Sequence, residues 1–211
     1  MSKSSEQLTT VLTRAQSVGF LGPGEIDAHI RHADRYLSGL ADESVEILDL
    51  GSGGGVPALP LVLATSDMKA TLVDTSQRRC SFLVWAACEL GIQDRVTVRR
   101  GRAEELARDE QLRGRFDGVT ARGFGPPAWT FECAIGFLAD RGRFVVSEPP
   151  GPRQWPDAET LANFGVTEVG PLPGIACFER TGEVPDHLPR SAKGANRQPL
   201  FTLEGLPTDQ K

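Results

Sequence analysis

From residue 45 to residue 180 the chain alternates short runs of β-branched and aliphatic residues with longer stretches whose apolar positions recur at helical spacing. That alternation predicts an α/β domain, a mainly parallel sheet with helices on both faces. The predicted strands are residues 45–50, 70–74, 96–100, 116–121 and 142–147. Between the second and third, residues 77–90 place Leu83, Ala86, Ala87 and Leu90 on one face and leave Arg78, Arg79 and Glu89 for water, as a crossover helix should. After Ser147 the run Glu-Pro-Pro-Gly-Pro breaks the pattern, and two further runs at 167–169 and 175–180 suit a closing hairpin, which brings the strand count to seven.

Ahead of the sheet, residues 5–18 and 25–40 read as helices separated by the turn-forming Gly19-Phe-Leu-Gly-Pro-Gly24. Residues 1–44 are therefore expected to form a helical appendage, 45–180 the core, and 181–211, rich in Pro, Gly and charge, a basic extended tail that docks at one or two points such as Leu200-Phe201. A length of 211 residues suits one such domain.

Composition narrows the chemistry. A formal charge of −5 argues against holding nucleic acid by bulk electrostatics, because such proteins usually carry an excess of Lys and Arg for phosphates. Local basic clusters remain, at Arg95, Arg99, Arg100 and Arg102, and at Arg190, Lys193 and Arg197 in a stretch, 187–200, without an acid. The four cysteines are scattered, form no CxxC pair and in three cases sit inside apolar stretches, so they read as reduced and structural, and no metal site is expected. No apolar run has membrane-spanning length and the polar start lacks a secretory segment, from which a cytoplasmic location is expected.

The densest signal is Ile47-Leu-Asp-Leu-Gly-Ser-Gly-Gly-Gly-Val-Pro57, a strand ending in an acid and running through a glycine turn into a helix. A turn at the carboxyl end of the first strand is where open α/β sheets bind nucleotides, and glycines there let a ligand approach the backbone. A dinucleotide fingerprint requires glycine at its sixth position, which here is Val56. The pattern Asp49-x-Gly51-x-Gly53-x-Gly55 instead suits the amino-acid end of S-adenosylmethionine, a ligand without a phosphate. Asp74 closes the second predicted strand 23 positions after Gly51, where a carboxylate can accept from both ribose hydroxyls; its bland alternative is a helix cap. Ala103 and Glu104, after the third strand, and Arg122, after the fourth, lie on the same sheet edge, with the adenine and the cofactor carboxylate or substrate as candidate partners.

These residues resemble the GidB/RsmG family of bacterial methyltransferases, which modify N7 of a guanine in small-subunit ribosomal RNA. The resemblance covers nearly the whole chain: Asp49 to Pro60 for the glycine motif and its prolines, Thr71 to Leu83 for the second strand and helix, Gly101-Arg-Ala-Glu-Glu105, Arg122-Gly-Phe124, and the basic segment from Leu188 to Leu200. It implies a Rossmann-like class I methyltransferase fold, S-adenosylmethionine as cofactor, cofactor contact by Gly51, Val56, Ala103, Glu104 and Arg122, and ribosomal RNA or the small subunit as partner. Arg190, Lys193 and Arg197 are the candidate RNA contacts. Three departures stand out. His32 is followed by Ala-Asp-Arg-Tyr where the family has an Asp-Ser pair, the asparagine-rich lead-in is replaced by Gly19-Phe-Leu-Gly-Pro, and Glu148-Pro stands where Lys-Gly is typical. They leave open a relative that methylates a small molecule or another acceptor.

Overall fold

The computed structural model describes residues 3–42, 45–148, 151 and 155–202. Seven strands, β1 (Glu46–Leu50), β2 (Lys69–Asp74), β3 (Val96–Arg100), β4 (Phe116–Ala121), β5 (Leu138–Ser147), β6 (Val166–Glu168) and β7 (Ile175–Arg180), form one sheet in the order β3-β2-β1-β4-β5-β7-β6. The first five are parallel; β7 runs antiparallel to both β5 and β6, closing the sheet with the expected hairpin.

Period-two alternation sends successive side chains to opposite faces. Along β5, Val145 enters one core while Phe144 and Val146 enter the other, and β7 repeats this with Cys177 against Ala176 and Phe178. Helices α1 (Lys3–Ser17), α2 (Ile26–Gly39), α3 (Ala58–Ala64) and α4 (Gln77–Glu89) supply residues to the first face. The second face is covered by α5 (Ala103–Leu106), α6 (Pro127–Ile135), α7 (Ala158–Ala162) and α8 (Ala192–Arg197). The N-terminal appendage shares this core, because Leu12, Ala15, Ala33 and Tyr36 are fully buried in the first cluster.

The tail docks at more points than the one or two expected. Leu188 is fully buried, Phe201 packs edge-on to Phe131 at 5.9 Å between ring centres, and α8 was not read from the sequence. Three side chains of the core grip its backbone: Arg108 donates to Pro189 O, Arg113 to Leu188 O, and Glu132 accepts the Arg190 N–H at 2.6 Å. The docking is therefore polar as well as apolar. The expected tail beyond residue 202 lies outside the described residues.

Candidate active site

After β1 the chain moves to β2 on one side of the sheet and later returns to β4 on the other. The crevice at that reversal, beyond the carboxyl ends of β1 and β4, is where an open α/β sheet offers a ligand the most room. Both the glycine turn and Arg122-Gly-Phe124 fall there. Gly51 and Gly55 have φ of 65° and 88°, a region costly for residues with a Cβ. A Cβ on Gly51 would lie 2.8 Å from the Phe124 ring, and one on Gly55 would collide with Leu59. The turn is thus glycine-dense partly because its own chain presses on it, a reason the sequence motif does not reveal.

Asp49 pairs with Thr120 in the β1–β4 register, so both side chains emerge on one face, and the Thr120 hydroxyl donates to Asp49 Oδ1 at 2.6 Å. Asp49 is 1% exposed, and burial pushes its carboxyl up to about 6 despite that hydrogen bond. Its other oxygen, Oδ2, is buried without a hydrogen-bond partner, and so is Nη1 of Arg122, whose pKa is lowered by burial. Two orphaned groups of opposite charge in one crevice are costly unless a ligand completes them. A zwitterionic amino-acid end, one ammonium and one carboxylate, matches that pair, so these residues fit the methionine portion of S-adenosylmethionine.

Arg122 is held from the appendage. Its Nη2 lies 2.7 Å from His29 Nδ1, and His29 Nε2 lies 3.2 Å from Gly22 O. Burial, and then the Arg122 charge, lowers the His29 pKa and favours the neutral ring. The loop carrying Gly22 also carries Phe20, whose carbonyl abuts Gly53 and Gly54. The N-terminal helices therefore close over the glycine turn.

Asp74, 4% exposed, accepts from Gly53 N–H at 3.1 Å and from Ser76 N–H at 2.8 Å. The cap of α4 is Ser76, whose hydroxyl accepts from Arg79 N–H, so Asp74 braces the glycine turn and is not itself the cap. Each of its oxygens keeps a second lone pair for a ribose hydroxyl. Ala103 opens α5 and is buried, and the nearly buried Glu104 accepts from Arg102 Nε at 2.7 Å. The side chain of Val56 belongs to the core.

Next to Arg122 opens a cavity of about 780 Å³, lined among others by Arg35, Phe124, Thr130, Ser147, Glu148 and Trp155. Glu148 is the sole acid among its described lining residues, which also include His32, Arg35 and Arg122. Glycine turn and cavity meet at Phe124, which touches the first and lines the second.

The candidate RNA cations separate. Arg190 is spent on the fold: its Nε and Nη2 donate to the two oxygens of the fully buried Glu132 at 2.9 and 2.7 Å. Lys193 and Arg197 are exposed on α8. Lys193 lines a groove of about 290 Å³ together with Arg102, Glu104 and Arg108. Of the central cluster, Arg95 donates to the carbonyls of Val62 and Thr65 and so closes the end of α3. His29 and Thr120 carry parts of this site that the sequence did not single out, and Glu132 likewise went unread as the anchor of the tail. The available signal was a polar residue on the apolar stripe of a helix or strand, which also marks ordinary core residues.

No helix among the described residues is long and apolar enough to cross a membrane. The fold is that of class I methyltransferases: an O-methyltransferase from Bacillus cereus, solved in complex with SAH, superposes with a TM-score of 0.61 at 15% identity over 82% of this chain and 90% of that one. Ribosomal RNA small subunit methyltransferase G of Streptococcus pyogenes is 33% identical over 76% of this chain and 72% of its own. The protein of the same name from Kineococcus radiotolerans is 34% identical over 78% of this chain and 65% of its own. A profile of the GidB family, described as rRNA small subunit methyltransferase G, matches residues 26–148, across the glycine turn, Asp74, Glu104 and Arg122, and the chain belongs to that family of methyltransferases.

Proposed function

We propose that this protein methylates N7 of a guanine in small-subunit ribosomal RNA, using S-adenosylmethionine. The observation that carries the cofactor half of this reading is the pair of orphaned atoms, Asp49 Oδ2 and Arg122 Nη1, in the switch-point crevice. Family membership carries the RNA half.

Asp49 and Arg122 would hold the ammonium and carboxylate, Gly51 and Gly53 the backbone face, Asp74 the ribose, and Ala103 and Glu104 the adenine, with Val56 packed beneath. Bound there, S-adenosylmethionine supplies a methyl on a sulfonium already activated for displacement. The chain's task is then alignment and exclusion of water. Phe20 and Phe124 flank the glycine turn, and the cavity beyond Phe124 is where an acceptor would sit. N7 of guanine carries a lone pair and no proton, so attack needs no base. With Arg122 engaged by the cofactor carboxylate, Arg35 on the cavity wall suits an anionic nucleotide better than an uncharged acceptor. Lys193 and Arg197 would meet phosphates farther out; Arg190 would act through the fold.

The test is incubation with labelled S-adenosylmethionine and small ribosomal subunits from a strain lacking the enzyme, followed by mapping of the label. Label at one guanine N7 is expected. Cofactor binding by calorimetry without any RNA label would turn the reading toward a small-molecule acceptor.

A further inference from the structure

We infer that His29 is a positioning residue of the cofactor site: its neutral imidazole accepts from Arg122 through Nδ1, fixing the guanidinium so that Nη1 faces the crevice. The inference deepens the S-adenosylmethionine reading and rests on it.

The geometry defines the tautomer. A carbonyl can only accept, so the contact between His29 Nε2 and Gly22 O at 3.2 Å places the ring proton on Nε2. Nδ1 is then an acceptor, and at 2.7 Å from Nη2 it has the length of a charge-assisted hydrogen bond. His29 is 6% exposed, so little water competes for either ring nitrogen. Its anchor is itself braced: Gln16 Nε2 on α1 donates to Gly22 O at 2.9 Å and to Gly24 O at 2.8 Å.

A guanidinium side chain has several rotatable bonds and adopts one orientation only where its N–H groups are held. Among the described residues the side-chain hydrogen bond of Arg122 is that with His29, while Nη1 is buried and unpartnered. The fork is thus pinned at one end and keeps an unmet donor at the other. Without His29 the side chain would be free to swing into the adjoining cavity, which Arg122 also lines. His29 itself is not among the residues lining that cavity. It acts through Arg122.

Two near-isosteres separate the ring's two contacts. In His29→Asn the amide oxygen stands near the place of Nδ1 and keeps the acceptor for Arg122. In His29→Gln the longer side chain reaches toward Gly22 O but leaves the Arg122 position without its acceptor. Calorimetry with S-adenosylmethionine on the full chain is expected to give a Kd about 10- to 100-fold weaker for His29→Gln, the worth of one hydrogen bond to a charged group. His29→Asn should recover most of the affinity, and the loss in turnover should fall on KM for S-adenosylmethionine while kcat at saturation holds. In an Arg122→Met background the Asn and Gln variants should bind alike, because the residue they orient is gone. Equal weakening by Gln and Asn, or none by either, overturns the role of His29 while leaving the cofactor reading intact. A wild-type protein that binds no S-adenosylmethionine overturns both.

Discussion

At Asp49 the sequence motif and the physical environment pull against each other, and the conflict is measurable. The carboxyl's folded pKa, about 6, is raised above its ordinary 3.8 by burial. Stability from the neutral form is therefore fully present below 3.8 and lost as pH rises through about 6, a loss of about 3 kcal/mol from the two-unit gap. A bound ammonium reverses the preference, since it selects the ionised carboxylate. The affinity for S-adenosylmethionine should consequently rise with pH between 5 and 6, by at most tenfold per unit, and flatten above. His29 titrates in the same sense, so the control is Asp49→Asn, whose binding should be weaker and lack the Asp49 component of the slope. Calorimetry across pH 5 to 7.5 checks this; identical profiles for the two proteins would remove Asp49 from the ammonium site. The neighbouring Gly51 gives a second measurement. Gly51→Ala meets a φ of 65° and a ring atom 2.8 Å from the new Cβ. A destabilisation of about 2 kcal/mol is expected in urea unfolding. Adding Phe124→Ala should return the steric part but not the backbone part, so full additivity of the two changes would deny the contact.

Among the elements, the tail is held by a buried ion pair. Glu132 on α6 is fully buried, and Arg190 satisfies both its oxygens while retaining a quarter of its side-chain exposure. Arg190→Ala would leave a buried carboxylate without its guanidinium while keeping the residue-190 N–H, at a cost of about 3 kcal/mol, toward the low end for broken buried pairs because that N–H remains and water reaches the guanidinium side. Replacing both, as in Glu132→Leu with Arg190→Leu, should cost less than the single change; chemical denaturation ranks the variants, and a harmless Arg190→Ala would show that the pair does not fasten the tail. The same pair explains what was legible in the sequence and what was not. The strands of the core follow from local alternation, and the glycine turn, Asp74, Glu104 and Arg122 converge because strand ends at one sheet edge must be neighbours. Arg190 was read as a free cation because nothing local to residues 187–200 announces its partner, 58 positions earlier. His29 and Thr120 were missed for the same reason: their meaning lies in contacts with residues far away in the chain, Arg122 and Asp49. Helix α8 is too short for periodicity to detect, and it exists because Ser191 caps it and Ala195 is buried beneath it.

For the whole molecule, a charge of −5 sets how it can approach an RNA particle. Long-range attraction is absent on balance, so encounter must rely on a local cation surface presented in the right place. With Arg190 and Arg95 committed inside the fold, that surface reduces at the tail to Lys193 and Arg197 on α8, beside the Arg102–Glu104 end of the cofactor crevice. If these two meet phosphates, Lys193→Ala with Arg197→Ala should weaken binding to unmethylated small subunits and lower the slope of log K against log salt by about 1 for each charge removed. Because neither side chain is among those assigned to the cofactor, the Kd for S-adenosylmethionine should not move. Filter binding at several salt concentrations, with calorimetry beside it, tests both statements. An unchanged slope would place the RNA on another face. The cavity wall bearing Arg35 is then the next candidate, since it would bring phosphate contact and acceptor base to the same opening.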